Sequence, residues 1–262
     1  LLTGSEGTLA FSTAITLHLD VLPPDKTAML VTHYDTLQKG LLDVVNAMQH
    51  ELYSCELMDD VILDRTKENA MYRSYRFFVM GAPKALLLLE VKAATEEQLQ
   101  EKIKDLHLTL AKEKLSYHTV VLKGTDVTKA MDLRKAGLGL LGNMVGDKKA
   151  VACIEDTAVA LQDLPAYIDE FTNIMKSYHQ EAVYYAHAGA GELHLRPILD
   201  LKTVEGVDYF RKITTDVVHL VKKYKGSFSG EHGDGIVRSE FIPFLIGEKN
   251  YALLKQIKNT FD

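Results

Sequence analysis

Beyond Pro23-Pro24 the sequence switches repeatedly between two hydrophobic periods, and no other feature narrows its possible folds as far. Thr27 to His33 reads as a strand, and Thr36 to Gln49 sets Leu37, Leu41, Val44, Val45 and Met48 along one helical stripe. Leu52 to Leu57 reads as a second strand. Lys84 to Lys92 is almost wholly apolar yet short, the pattern of a buried strand. Thr95 to Lys114 is predicted helical, with Thr95 as N-cap and Gln98 as its capping-box partner. Strand-type sequence returns at Tyr117 to Leu122 and Ala150 to Ile154, with a helix at Thr125 to Gly142 between them. Leu164 to His179 is a further helix, and Ala182 to His187 with Glu192 to Arg196 reads as a hairpin. Thr203 to Lys225 is a long helix ended by Gly226, and Tyr251 to Thr260 a last one. This order predicts an α+β fold of ferredoxin-like units, with helices on one face of a mostly antiparallel sheet.

Residues 1–22 stand apart. A turn at Gly4-Ser5-Glu6-Gly7 leads into alternating Ile15, Leu17, Leu19 and Val21, a strand pattern that Pro23-Pro24 stops. The expected division is therefore 1–22 and 23–262. A net charge of −6 gives no support to a nucleic-acid or anionic-membrane surface. No apolar run approaches the roughly 18 residues of a membrane span. Cys55 and Cys153 sit far apart in apolar contexts and are expected to be buried free thiols, which suits a cytoplasmic setting, with peripheral attachment to an inner membrane left open. Neither end of the chain carries a closing signal, so the chain reads as a piece of a longer protein.

Two glycine-framed clusters carry the chemistry. In His187-Ala188-Gly189-Ala190-Gly191-Glu192-Leu193-His194, the histidines would face opposite sides of one regular strand. A tight glycine turn would let both imidazoles meet at one point, as a divalent metal requires. An ordinary hairpin with two unrelated histidines fits the spacing too. In Ser229-Gly230-Glu231-His232-Gly233-Asp234-Gly235, a carboxylate could complete a two-histidine, one-carboxylate set, with the adjacent imidazole as a base. A polar turn with a helix cap is the alternative there. The other seven histidines lie in ordinary strand or helix contexts, and Arg196 and Arg238 flank the clusters, where they could meet substrate, though a structural ion pair is the more expected role.

Taken together, these clusters resemble the FAD-linked oxidase C-terminal domain, the family of glycolate oxidase, D-lactate dehydrogenase and D-2-hydroxyglutarate dehydrogenase subunits. Gly4-Ser5-Glu6-Gly7-Thr8-Leu9 and Glu155-Asp156-Thr157-Ala158-Val159 carry the resemblance as well, in the family's order, and it covers essentially the whole chain. His194-Leu195-Arg196-Pro197 and Leu133-Arg134-Lys135-Ala136-Gly137-Leu138-Gly139 are most similar to a large bacterial branch fused to an iron–sulfur domain. The resemblance implies that His187, His194 and Glu231 hold a divalent metal, zinc before manganese or iron, and that His232 is the catalytic base. It implies that Arg134 holds the substrate carboxylate. It also implies that Gly4, Ser5, Glu6, Gly7 and Thr8 are the end of a FAD-binding domain and approach the cofactor's pyrophosphate, where small residues and exposed amides suit a phosphate. A family lysine for substrate has no match, since Lys148 and Lys149 lie upstream of its place, and the usual Asn-Pro-Gly-Lys tail is missing.

The expected function is the substrate side of a FAD-dependent D-2-hydroxyacid dehydrogenase, with the FAD-binding domain of the same parent chain as partner and the electron acceptor open. The chain alone is expected to be inactive. Two rivals are a ferredoxin-like binding or assembly module without chemistry, and a metal hydrolase using His187, His194 and Glu231.

Overall fold

The computed structural model describes residues 2, 5, 7–67, 69–142 and 144–261, which form two compact units, residues 24–233 and the terminal segments 1–23 with 234–262. In the larger unit the order is β1 (Lys26–Tyr34), α1 (Leu37–Ala47), β2 (Ser54–Asp59), α2 (Asp60–Arg65), a 3-10 turn (Arg73–Phe78), β3 (Ala85–Ala93), α3 (Glu96–Glu113), β4 (His118–Lys123), α4 (Thr125–Leu141), β5 (Lys149–Ala150), β6 (Thr157–Ala158), α5 (Leu164–Ser177), β7 (Ala182–His187), β8 (Glu192–Leu199) and α6 (Val204–Lys223). The smaller unit carries α7 (Gly235–Arg238), α8 (Ile242–Ile246) and α9 (Glu248–Phe261).

The strands form one sheet in the order β4-β1-β3-β2-β7-β8-β5, with β6 also on β8 and every pairing antiparallel. β1-α1-β2-β3-α3-β4 is a complete ferredoxin-like unit, and the β7–β8 hairpin extends its sheet from β2. The α+β architecture is the one the periodicities predict. Threonines set three helix starts: Thr36, Thr95 and Thr203 accept from Lys39 N, Gln98 N and Gly206 N at 3.3, 3.3 and 3.0 Å.

The expected helical layer covers one face, where α1 and α3 pack on β1 and β3. The other face is covered too. Met29, Val31, Met58, Leu86, Leu88, Leu122, Val183 and Tyr185 form one core with Ile62 and Leu63 of α2, Phe78 of the 3-10 turn, and Val127, Ala130 and Leu133 of α4. The run at Leu86–Leu89 requires both layers, because successive strand residues point to opposite faces and all four are fully buried. Burial of each such side chain is worth about 1.5–3 kcal/mol. Cys55 and Cys153 are buried free thiols, as expected.

Several local expectations are corrected. The strand expected at Ala150 to Ile154 is only Lys149–Ala150. Val151 N still donates to Pro197 O at 2.9 Å, but Pro197 has no N–H to return, so the ladder ends there. Lys225, rather than Gly226, takes the left-handed conformation after α6, with Gly226 N donating to Val221 O at 3.0 Å. The alternating segment through Ile15 and Val21 forms no strand, and these side chains are exposed, Val21 at 94%. Alternation alone cannot make a strand without a neighbour to take its backbone groups. In the terminal unit, Gly7 has a φ of 81° and Thr8 N donates to Ser5 O at 2.9 Å. Gly4 and Glu6, assigned with them to the flavin pyrophosphate, lie outside the described residues.

Candidate metal centre

The glycine turn does fold the chain back. Ala188–Ala190 form one 3-10 turn and Gly191 follows with a φ of 69°; a Cβ there would lie 2.1 Å from Val159 O. The hairpin register pairs Tyr185 with His194 and His187 with Glu192, so these four side chains rise from one face of the sheet. The His187 and His194 rings are 5.3 Å apart, and Tyr185 stacks on His194 at 4.5 Å.

Glu231 and His232 come to the same point from a loop whose shape is fixed by Asp156. That residue is fully buried with a φ of 78°. Its carboxylate accepts from Glu231 N at 2.6 Å, His232 N at 3.0 Å and Ser229 Oγ at 2.7 Å, and its carbonyl accepts from Gly230 N at 2.7 Å. The loop so held places Glu231 Oε1 3.8 Å from His187 Nε2, 3.6 Å from His194 Nε2 and 3.1 Å from His232 Nε2. His232 stacks on His194 at 5.6 Å.

The donor set fits a divalent ion. His187, Glu192, His194 and Glu231 each offer a ligand atom, all within 4.8 Å of one another. Two imidazoles with carboxylates suit zinc, manganese or iron. Burial lowers His194 to about 4, which keeps its imidazole neutral, the form that ligates. Burial and the facing Glu231 charge push the Glu192 carboxyl up to about 8, an environment short of positive charge. His187 Nδ1 is hydrogen-bonded to Glu56 Oε1 at 3.1 Å, and this hydrogen bond raises the His187 pKa.

Residues 23–262 match the family of FAD linked oxidases, C-terminal domain. The chain belongs to this family. It is 32% identical to D-2-hydroxyglutarate dehydrogenase of Escherichia coli (strain K12) over 273 residues, all of this chain and 26% of that one. It is 26% identical to D-lactate dehydrogenase of Archaeoglobus fulgidus over 263 residues, all of this chain and 55% of that one. The chain thus spans about a quarter to a half of the length of these relatives. Among solved structures, 4-ethylphenol oxidase from Gulosibacter chungangensis shares the fold, with a TM-score of 0.64 at 8% identity over 92% of this chain and 52% of that one.

Within this FAD-linked oxidase domain, the five candidate side chains of the larger unit are gathered at one wall. Arg134, on α4, enters it from above the sheet face, with its guanidinium 5.7 Å from the Tyr185 ring. Its Nη2 pairs with Glu56 Oε2 at 2.7 Å, so the guanidinium is already balanced by one carboxylate. Arg196 is the ion pair expected of it: Nη2 lies 2.6 Å from both oxygens of Glu155, which also accepts from Tyr185 Oη at 3.1 Å. Glu56 escapes sequence reasoning altogether, being an acid in a largely apolar strand 131 residues from His187. Glu192 had a signal, two residues from His194 and therefore on its face. Asp156 stood inside a family segment, but nothing there shows that it holds the distant loop.

Proposed function

We propose that the chain is the substrate side of a FAD-dependent 2-hydroxyacid dehydrogenase, oxidising a 2-hydroxy acid to a 2-oxo acid with help from a divalent metal. The observation that carries this reading is the convergence of His187, His194 and Glu231 on one point with His232 beside them. His187 and His194 would hold the ion through Nε2 and Glu231 through its carboxylate. A divalent ion held there would act as a template and Lewis acid for the substrate's hydroxyl and carboxylate oxygens. A flavin, bound by a partner domain of the parent protein, supplies the hydride acceptor.

The chain's own residues do the rest. Glu56 Oε1 accepts from His187 Nδ1–H, which leaves Nε2 facing Glu231, where it would be free to ligate. His232 takes the hydroxyl proton at Nε2, the atom already directed at the cluster. Asp156 keeps Glu231 and His232 in register by holding both backbone N–H groups. Arg134 has five N–H donors, and those not engaged by Glu56 can grip a substrate carboxylate. The segment Gly4 to Thr8 would supply small residues and backbone amides for the flavin pyrophosphate, and the rest of the cofactor site would come from the partner domain, so the chain with FAD merely added should not turn over. The relatives' names favour D-2-hydroxyglutarate or D-lactate as substrate. The small fraction of the Escherichia coli relative that the chain covers leaves room for an iron–sulfur acceptor domain in the parent.

Metal content by mass spectrometry tests the reading, on the chain and on a His187→Ala/His194→Ala variant. The expected result is close to one divalent ion per chain, absent from the variant. No ion in either overturns it.

A further inference from the structure

We propose that Glu192 is a fourth protein ligand of the divalent ion, and that it shifts the site's selectivity from Zn²⁺ towards harder ions such as Mn²⁺. This rests on the metal reading above and adds a ligand outside its two-histidine, one-carboxylate set.

Burial supplies the first support. Glu192 is 5% exposed; neither carboxylate oxygen has a well-formed hydrogen bond, and the polar groups beside it are the Asp156 carboxyl and His194 Nδ1, the latter at 3.3 Å. A carboxylate taken out of water needs a donor or a cation in exchange. Direction supplies the second: Glu192 sits opposite His187 in the hairpin ladder and two residues before His194, on the face that carries both rings. Its ligand atom belongs to the group of four within 4.8 Å of one another.

Charge supplies the third. Glu56 and Glu155 are each matched by an arginine, Arg134 at 2.7 Å and Arg196 at 2.6 Å. Asp156 is committed to the backbone of residues 231 and 232 and to Ser229. Glu192 and Glu231 face imidazoles instead, at 3.3 Å for Glu192 Oε1 to His194 Nδ1 and 3.6 Å for Glu231 Oε1 to His194 Nε2. Among the described residues, these are the two acids of the cluster set against imidazoles rather than against an arginine, surroundings that a divalent ion would complete. Adding an oxygen donor to a mixed site favours hard ions over borderline ones.

The contact with His194 Nδ1 defines the competing role, a carboxylate that only orients the imidazole. Such a residue would tune the ligand for every ion alike. The experiment is titration calorimetry of Mn²⁺ and of Zn²⁺ on the whole chain and on Glu192→Gln and Glu192→Asp, with circular dichroism of the metal-free proteins to confirm folding. Glutamine keeps a carbonyl for His194 Nδ1 but loses the charge. The expected result is Mn²⁺ affinity about 100-fold weaker in Glu192→Gln and Zn²⁺ affinity weakened by about 10-fold or less. Glu192→Asp should keep the native Mn²⁺-to-Zn²⁺ ratio at lower affinity, and it serves as the readout if Glu192→Gln does not fold. Equal losses for both ions, or no loss, overturn the role of Glu192 while the metal reading stands. An unsubstituted chain that binds neither ion overturns the metal reading itself.

Discussion

At the β1–β3 end of the sheet, Leu86 to Leu89 are fully buried among leucine, valine and methionine on both faces. At the β2–β7–β8 end of the same sheet, positions of comparable burial hold Glu56, Glu155, Glu192 and His194. The first end gains stability from every buried methylene. The second buries charge, which is unfavourable unless each group finds a partner. Two arginines partner two of its carboxylates. The remaining acid, Glu192, and His194 stand with His187 and Glu231 in the set proposed to hold a cation. One sheet therefore separates the work of holding the fold from the work of holding a site, and the two should respond differently to substitution and to metal.

The largest effect should come from the apolar end. Leu88→Ala should destabilise the chain by about 2–5 kcal/mol, measured by denaturant unfolding, while the folded fraction keeps its metal stoichiometry. Loss of metal in that variant would break the separation. The seam between the two ends should show in pH. Asp59 accepts from Ile62 N at 2.9 Å and from Tyr184 N at 2.7 Å, and burial pushes its carboxyl up to about 7. A carboxyl raised above its unfolded value contributes stability that is whole below pH 4 and is lost as pH rises towards 7. The slope this produces, up to roughly 4 kcal/mol across that window, should flatten in Asp59→Asn.

Smaller effects belong to the polar end. Metal at about 100 times its Kd should stabilise the chain by about 2.7 kcal/mol in thermal unfolding, and the His187→Ala/His194→Ala variant should show no such gain. Asp156→Asn replaces an acceptor with an amide that faces the same N–H donors. It should weaken metal binding by about 10–100-fold, or roughly 1.4–2.8 kcal/mol, by calorimetry. An undiminished affinity would show that the 229–232 loop holds its shape without this anchor.

Much of the apolar end is legible in the sequence. The strand at Lys84 to Lys92 and the helices after Thr36, Thr95 and Thr203 follow from periodicity and capping, which are local. Short elements escape. α2 is six residues long and starts from the Asp59 cap, too little for a periodic signal. The Ile15 to Val21 pattern misleads in the opposite direction, since its alternation is local and a strand is not. At the site, the two clusters marked His187, His194, Glu231 and His232 through glycine framing and a family resemblance, yet spacing alone left an ordinary hairpin open for the first and a polar turn with a helix cap for the second.

The sequence by itself determined the order of elements, the buried strands and which two segments bear the chemistry, because each depends on residues close along the chain. The tertiary structure alone decided that His187 and His194 share a face, since this follows from the pairing of His187 with Glu192 and of Tyr185 with His194. It alone brought Glu56 from β2, Arg134 from α4 and Asp156 from the turn before β6 to the site. Contacts between residues more than a hundred positions apart, such as Glu56 and His187, leave no trace in local pattern, because they are set by strand order and register once the sheet is assembled.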